Sequence, residues 1–178
     1  MAQKFHNKYR IPPARAQWWN YASEAVYFIT ICTKAKAHFF GDVFDGEMQL
    51  SVIGKIVEEE WLKTYEIRED MNLEMGSYIV MPNHFHAIIG IGENEYNAHI
   101  VYREDNKHNN FGPQSKNLAA IVRGFKSAVT KSAKFYDPTF NWQPLYHDHI
   151  IRNEESLNMI DRYIVENPMK WSQDKFHI

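Results

Sequence analysis

Three observations in the sequence predict an α+β protein built on one antiparallel sheet. Stretches rich in β-branched, aromatic and other apolar residues occur at 25–33, 72–81, 84–92 and 142–151. Segments with helical apolar spacing lie between the first and second of these and between the third and fourth. A further helical segment follows the last strand. Strand, helix, strand, strand, helix, strand is the split βαβ order of ferredoxin-like folds, here with a terminal helix added. The expected architecture is an antiparallel sheet with helices on one face and a C-terminal helix that carries Tyr163.

The elements follow in order. Residues 1–23 form a basic arm interrupted by Pro12 and Pro13, and Trp18 and Trp19 within it are expected to close the core. AVYFITICT (Ala25 to Thr33) reads as a buried strand, in which the single Cys32 is a small buried side chain that has no disulfide partner. Asp45-Gly46 marks a tight turn or small hairpin. Ser51 caps a helix with Ile53, Ile56, Val57 and Trp61 on one face, running to about Thr64. After the strand at 72–81, Pro82-Asn83 breaks the chain and HFHAIIGIG (His84 to Gly92) forms its neighbour. Residues 93–115 are polar and read mostly as a long surface loop, with a short strand at His99 to Tyr102 as the alternative for that stretch. Asn117 caps the next helix, whose Leu118, Ile121, Val122, Phe125 and Val129 form one face while Arg123, Lys126 and Thr130 turn to another. Trp142 to Ile151 reads as the last strand, and Asn153-Glu154-Glu155 starts a helix bounded by Pro168.

Composition bounds the function classes. The 178 residues, 44% hydrophobic and 24% charged, fit a single domain, and 5 Trp, 10 Tyr and 11 Phe supply a core. No apolar run reaches membrane-spanning length and the first ten residues, MAQKFHNKYR, lack a signal peptide's apolar segment, so the expected location is cytoplasmic. The net charge of -2 is unevenly distributed: residues 1–23 and 106–136 contain Lys and Arg but no acid, whereas acids crowd between Glu58 and Glu74. Such a split can give one side of the molecule an affinity for a polyanion; an ordinary solvated surface reads equally well from charge alone.

His84 and His86 flank Phe85, and the strand period of two sends both imidazoles to one face and Phe85 to the other. Such a pair can hold adjacent positions on a divalent metal. Nine His in the chain would give about 0.45 His-x-His pairs by chance, so context decides. The second pair, His147 and His149, has no nearby helix bearing both a nucleophile and a ligand and reads as ordinary strand histidines. On the last helix, Tyr163 and Asn167 are four apart and share a face. Each alone is a core tyrosine or a helix C-terminus. Together, a phenol nucleophile, an amide oxygen and two imidazoles form a set for metal-assisted attack on a phosphodiester.

MPNHFHAII (Met81 to Ile89) resembles the histidine-hydrophobic-histidine box of the HUH endonucleases, in the wording of the REP-associated tyrosine transposases. YRIPPAR, AVYFITICT, IVRGFKSAVTK, WQPLYHDHIIRNEES and RYIVENP resemble that subfamily in the same order, over most of the chain. The resemblance implies a ferredoxin-like fold, magnesium or manganese held by His84, His86 and Asn167, and Tyr163 as nucleophile. Relatives among insertion-sequence transposases more often have Gln where Asn167 stands. It further implies cleavage of single-stranded DNA beside hairpins through a 5′-phosphotyrosine link, by a monomer or homodimer. Arg123, Lys126 and Lys131 on the basic helix and Lys8, Arg10 and Arg15 in the arm are the expected phosphate contacts. The alternatives are a nucleic-acid-binding module without chemistry and a phosphohydrolase that uses the histidines with water, and replacing Tyr163 separates all three.

Overall fold

A computed structural model describes residues 19–98 and 115–177. Strand β1 (Ala25–Cys32) leads into the strands β2 (Gly41–Phe44) and β3 (Glu47–Leu50) and helix α1 (Val52–Glu66). Then follow β4 (Leu73–Met81), β5 (His84–Ile91), α2 (Leu118–Ala133), β6 (His147–Ile151) and α3 (Glu154–Glu166). The main sheet has the order β4-β5-β1-β6 with every pair antiparallel, the split βαβ topology expected from the sequence, and β2 and β3 form a separate hairpin.

Local chemistry starts each helix where the sequence placed its cap. Ser51 Oγ accepts from Gly54 N at 3.1 Å, Asn117 Oδ1 from Ala120 N at 2.9 Å, and Asn153 Oδ1 from Ser156 N at 2.8 Å. The hairpin turns on Asp45 (φ 51) and Gly46 (φ 78), the paired positive φ angles that an Asp-Gly turn supplies. At Gly54 a Cβ would lie 2.2 Å from the Phe40 carbonyl oxygen, so only glycine lets α1 begin against that backbone.

The sheet is covered on both faces. Helices α1 and α2 share one face, where Val57, Trp61, Ile121, Val122 and Phe125 pack on Tyr27, Ile29, Phe85 and Ile89. Helix α3 lies on the other, where Ile164 meets Ile88 and Ile151, with Leu157 and Ile160 beside them. Strand β5 therefore buries all 8 of its residues, since apolar neighbours meet both sides of its pleat.

Two boundaries differ from the sequence reading. Helix α1 continues past Thr64 to Glu66. The last strand begins at His147 instead of Trp142, because Pro144 has no N–H to give a ladder and Leu145 adopts φ 68; before them Trp142 makes only an isolated bridge to Thr33. Trp19 closes the core as expected, its Nε1 donating to Tyr27 Oη at 3.0 Å. Trp18, Lys8, Arg10 and Arg15 of the arm, and the short strand expected at His99 to Tyr102, lie outside the described residues. No helix among the described residues is long and apolar enough to cross a membrane.

Candidate functional site

The β5 pleat places the histidines. Phe85 turns into the α1/α2 core, with its ring 5.0 Å from Trp61 and 5.4 Å from Phe125, while His84 and His86 turn to the α3 face. The two imidazole centroids are 4.5 Å apart, and the residues are 0% and 1% exposed.

Each ring is held by a neighbour. Asn83 Nδ2 donates to the Lys36 and Phe176 carbonyls at 3.2 and 2.9 Å, which fixes the amide and turns its Oδ1 to His84 Nδ1 at 2.9 Å. An amide oxygen only accepts, so His84 Nδ1 carries the proton and Nε2 keeps its lone pair. That Nε2 is buried without a hydrogen-bond partner. Burial, with Lys175 and Lys36 adding to it, pushes the His84 pKa down to about 3, so the ring is neutral. His86 is shifted in the same direction, chiefly by burial. Its Nδ1 meets Thr30 Oγ1 of β1 at 2.9 Å and its Nε2 lies 3.2 Å from Tyr163 Oη.

Helix α3 brings Tyr163 and Asn167 to the same place from the other side. Tyr163 is 36% exposed, with its ring 5.2 Å from that of His86 and edge-on to Phe28. Burial of the hydroxyl, and the carboxylate of Asp174 beside it, push its pKa up to about 12. Asn167, at the end of α3, is buried; its Nδ2 donates to Asp174 Oδ2 at 3.1 Å and its Oδ1 has no partner. The same Asp174 oxygen accepts from Tyr163 Oη at 3.3 Å. Asp174 belongs to the segment after α3, which folds back across the histidines: Trp171 is buried against His84, and the Phe176 ring lies 4.5 Å from it.

The structure thus assembles His84, His86, Tyr163 and Asn167, far apart in sequence, into one cluster. Within this cluster His84 Nε2 and Asn167 Oδ1 are each buried without a hydrogen-bond partner and His86 Nε2 faces Tyr163 Oη, and neutral imidazoles with an amide oxygen are donor types that suit manganese. Among the described residues no three His, Cys, Asp or Glu side chains converge at metal-binding spacing, so the amide is essential to any metal reading. Sequence reasoning missed Asp174, which no motif marks, and Asn83, whose role shows only once its three hydrogen bonds are seen.

Other expected residues sit apart. His147 and His149 lie exposed on edge strand β6; His147 and His86 pair with Thr30 from opposite sides and do not meet. Arg123 and Lys131 are exposed on α2, across the sheet from the histidines. Lys126 Nζ donates to the Gln143 and Leu145 carbonyls at 2.8 and 3.0 Å, and so braces the loop before β6. Among the described residues, Lys36 and Lys175 both act electrostatically on His84.

An uncharacterized protein of Haemophilus influenzae is 36% identical over 171 residues, spanning 92% of this chain and 91% of that relative. The chain belongs to that protein's family. No family model matches the sequence. Among solved structures, the REP-associated tyrosine transposase bound to a REP hairpin superposes with a TM-score of 0.59 over 95% of this chain and 76% of that one, at 18% identity. The fold of this family member is therefore that of a tyrosine transposase. A transposase candidate from Deinococcus radiodurans R1 matches at a TM-score of 0.43 and 16% identity, over 94% of this chain and 98% of the other.

Proposed function

We propose that the protein is a metal-dependent tyrosine transesterase that nicks and rejoins single-stranded DNA beside hairpins. The observation that carries this reading is the placement of the Tyr163 hydroxyl 3.2 Å from His86 Nε2, in a cluster where His84 Nε2 and Asn167 Oδ1 are buried and unpartnered. A phenol, two neutral imidazoles and a free amide oxygen are more than a binding surface needs. The fold shared with a transposase that binds a REP hairpin supports DNA as the substrate class.

His84, His86 and Asn167 would hold magnesium or manganese, with manganese the better match to two nitrogens. When bound, the ion polarises a non-bridging phosphate oxygen and offsets charge developing there. The chain's own residues do the rest. Tyr163 attacks phosphorus: its Oη–P bond forms as the P–O3′ bond breaks, its proton passes to solvent water, and the departing 3′ oxygen takes up a proton from solvent. The product is a 5′-phosphotyrosine link and a free 3′ hydroxyl. Because the phosphodiester is conserved in that link, attack by a 3′ hydroxyl can reverse it and join strands. Asn83 and Thr30 keep the imidazoles oriented, and burial keeps them neutral and able to ligate at neutral pH. Action on DNA accords with a cytoplasmic location.

The test is incubation with manganese and labelled single-stranded hairpin oligonucleotides, followed by a denaturing gel. The expected result is a covalent adduct that Tyr163→Phe abolishes. Binding of the same DNA without an adduct would instead support a binding module, and cleavage that survives Tyr163→Phe would support hydrolysis by water.

A further inference from the structure

We propose that Asp174 is a positioning residue of this site, which fixes the side-chain amide of Asn167 so that its oxygen is the atom left to bind the metal, and which holds the Tyr163 hydroxyl beside it. The inference rests on the metal-dependent reading above and assigns a role to a residue that neither the sequence motifs nor the fold singles out.

A single carboxylate oxygen of Asp174 receives both functional groups of α3, Asn167 Nδ2 at 3.1 Å and Tyr163 Oη at 3.3 Å. The two ends of a primary amide have nearly the same shape, so a buried Asn can face either way unless its partners decide. An ionised carboxylate only accepts. It therefore takes the NH2 of Asn167, and the oxygen, buried and without a partner, is what remains for a cation. With the amide reversed, an NH2 would point where a ligand is needed. The phenol has one proton and two acceptors in reach, Asp174 Oδ2 and His86 Nε2, so Asp174 lets the hydroxyl stay hydrogen-bonded when His86 turns its lone pair to a metal.

The carboxylate is itself held. Its Oδ1 accepts from Phe176 N at 2.7 Å, and its backbone N–H donates to the Trp171 carbonyl at 3.0 Å. Buried Trp171 anchors the segment, while Asn83 Nδ2 and Lys36 Nζ bind the Phe176 and Lys175 carbonyls, both at 2.9 Å. The residue that orients His84 thus also secures the segment that orients Asn167.

The test is a double-mutant cycle in Mn2+ affinity, measured by titration calorimetry on the full chain without DNA. Asp174→Ala is expected to weaken Mn2+ binding about tenfold or more, the usual effect of losing an outer-shell partner. In an Asn167→Ala background the same change is expected to add less than about threefold, because Asp174 acts through Asn167. Asp174→Asn, which keeps the size but no longer selects one end of Asn167, since its oxygen can accept from the Asn167 NH2 or its NH2 can donate to the Asn167 oxygen, is expected to weaken binding too and serves if the alanine variant fails to fold. Asn167 side-chain amide signals in 15N NMR are expected to lose exchange protection in both variants. Additive losses would mean that Asp174 ligates the ion itself, unchanged affinity or amide signals would mean that it orients nothing, and tighter binding or more adduct in Asp174→Ala would mean that it obstructs the site; each overturns the proposal. No Mn2+ binding by the wild type would overturn it together with the metal reading. The expected coupling with no adduct on any DNA would leave Asp174 in this role and remove the transesterase reading alone.

Discussion

Asn83 Oδ1 accepts the Nδ1 proton of His84 at 2.9 Å, and through that bond a residue in the β4–β5 turn sets which nitrogen of the histidine is free. Asn83 is wholly buried and its two other bonds go to backbone carbonyls of distant segments. Asn83→Ala is expected to weaken Mn2+ affinity by about tenfold or more and to lower stability by about 1–3 kcal/mol through the carbonyls left unpaired. Calorimetry and urea unfolding read the two effects; an unchanged Mn2+ affinity would show that the tautomer of His84 is set by something else.

Tyr163→Phe removes one oxygen from a side chain that is a third exposed. The ring contacts with His86 and Phe28 remain, so stability is expected to change by less than about 1.5 kcal/mol, the net worth of a hydrogen bond. Adduct formation is expected to fall below detection while DNA affinity by fluorescence anisotropy holds within about threefold. Residual adduct would point to another nucleophile.

The buried neutral histidines couple folding to pH. His84 titrates at about 3 in the folded chain against 6.5 ordinarily, so the unfolded chain binds more protons between those values. Its contribution is fully present above pH 6.5 and is lost as pH falls through the window toward 3. From pH 6.5 to 5 this amounts to ~2 kcal/mol for His84 alone. Urea midpoints of the metal-free protein at pH 7.5 and 5 are expected to fall further for the wild type than for His84→Asn. Equal falls would assign the acid sensitivity to carboxylates.

Charge near the site makes a different prediction from charge along α2. Lys36 stands beside the histidines, with its ammonium on the Lys175 carbonyl and 5.5 Å from the Phe176 ring, whereas Lys131 is across the sheet. Lys36→Ala is expected to weaken single-stranded DNA binding more than Lys131→Ala and to reduce the salt slope by ~0.7, the share of one phosphate contact. Anisotropy titrations across a salt series compare them, and the reverse ranking would move the DNA path to the α2 side.

The alternation around Phe85 was enough to place both histidines on one face, and the spacing of Tyr163 and Asn167 to place both on one helix face, because these follow from the periods of strand and helix. The caps Ser51, Asn117 and Asn153 were equally legible, since capping is local chemistry. What the sequence did not disclose was non-local: that α3 covers the face opposite α1 and α2, that Lys126 braces a loop, and that a segment after Pro168 returns to set Asp174 against Tyr163. Leu145 delays the start of the last strand through a backbone angle that no residue preference announces. Asp174 stands seven positions from Asn167, beyond a proline, where no periodicity relates them.

The cluster joins two parts of unequal permanence. The imidazoles belong to β5, packed on both sides and hydrogen-bonded to strands on both edges, and can come free only when the whole domain melts. Tyr163 belongs to a helix that buries only Ile164 fully, so the cost of lifting it is a small fraction of the cost of unfolding. Amides of α3 are therefore expected to exchange with deuterium well before those of β5. Under the proposed function, a nucleophile that becomes tied to a long, bulky strand would be carried on an arm of the site that can yield, while the imidazoles stay where they are.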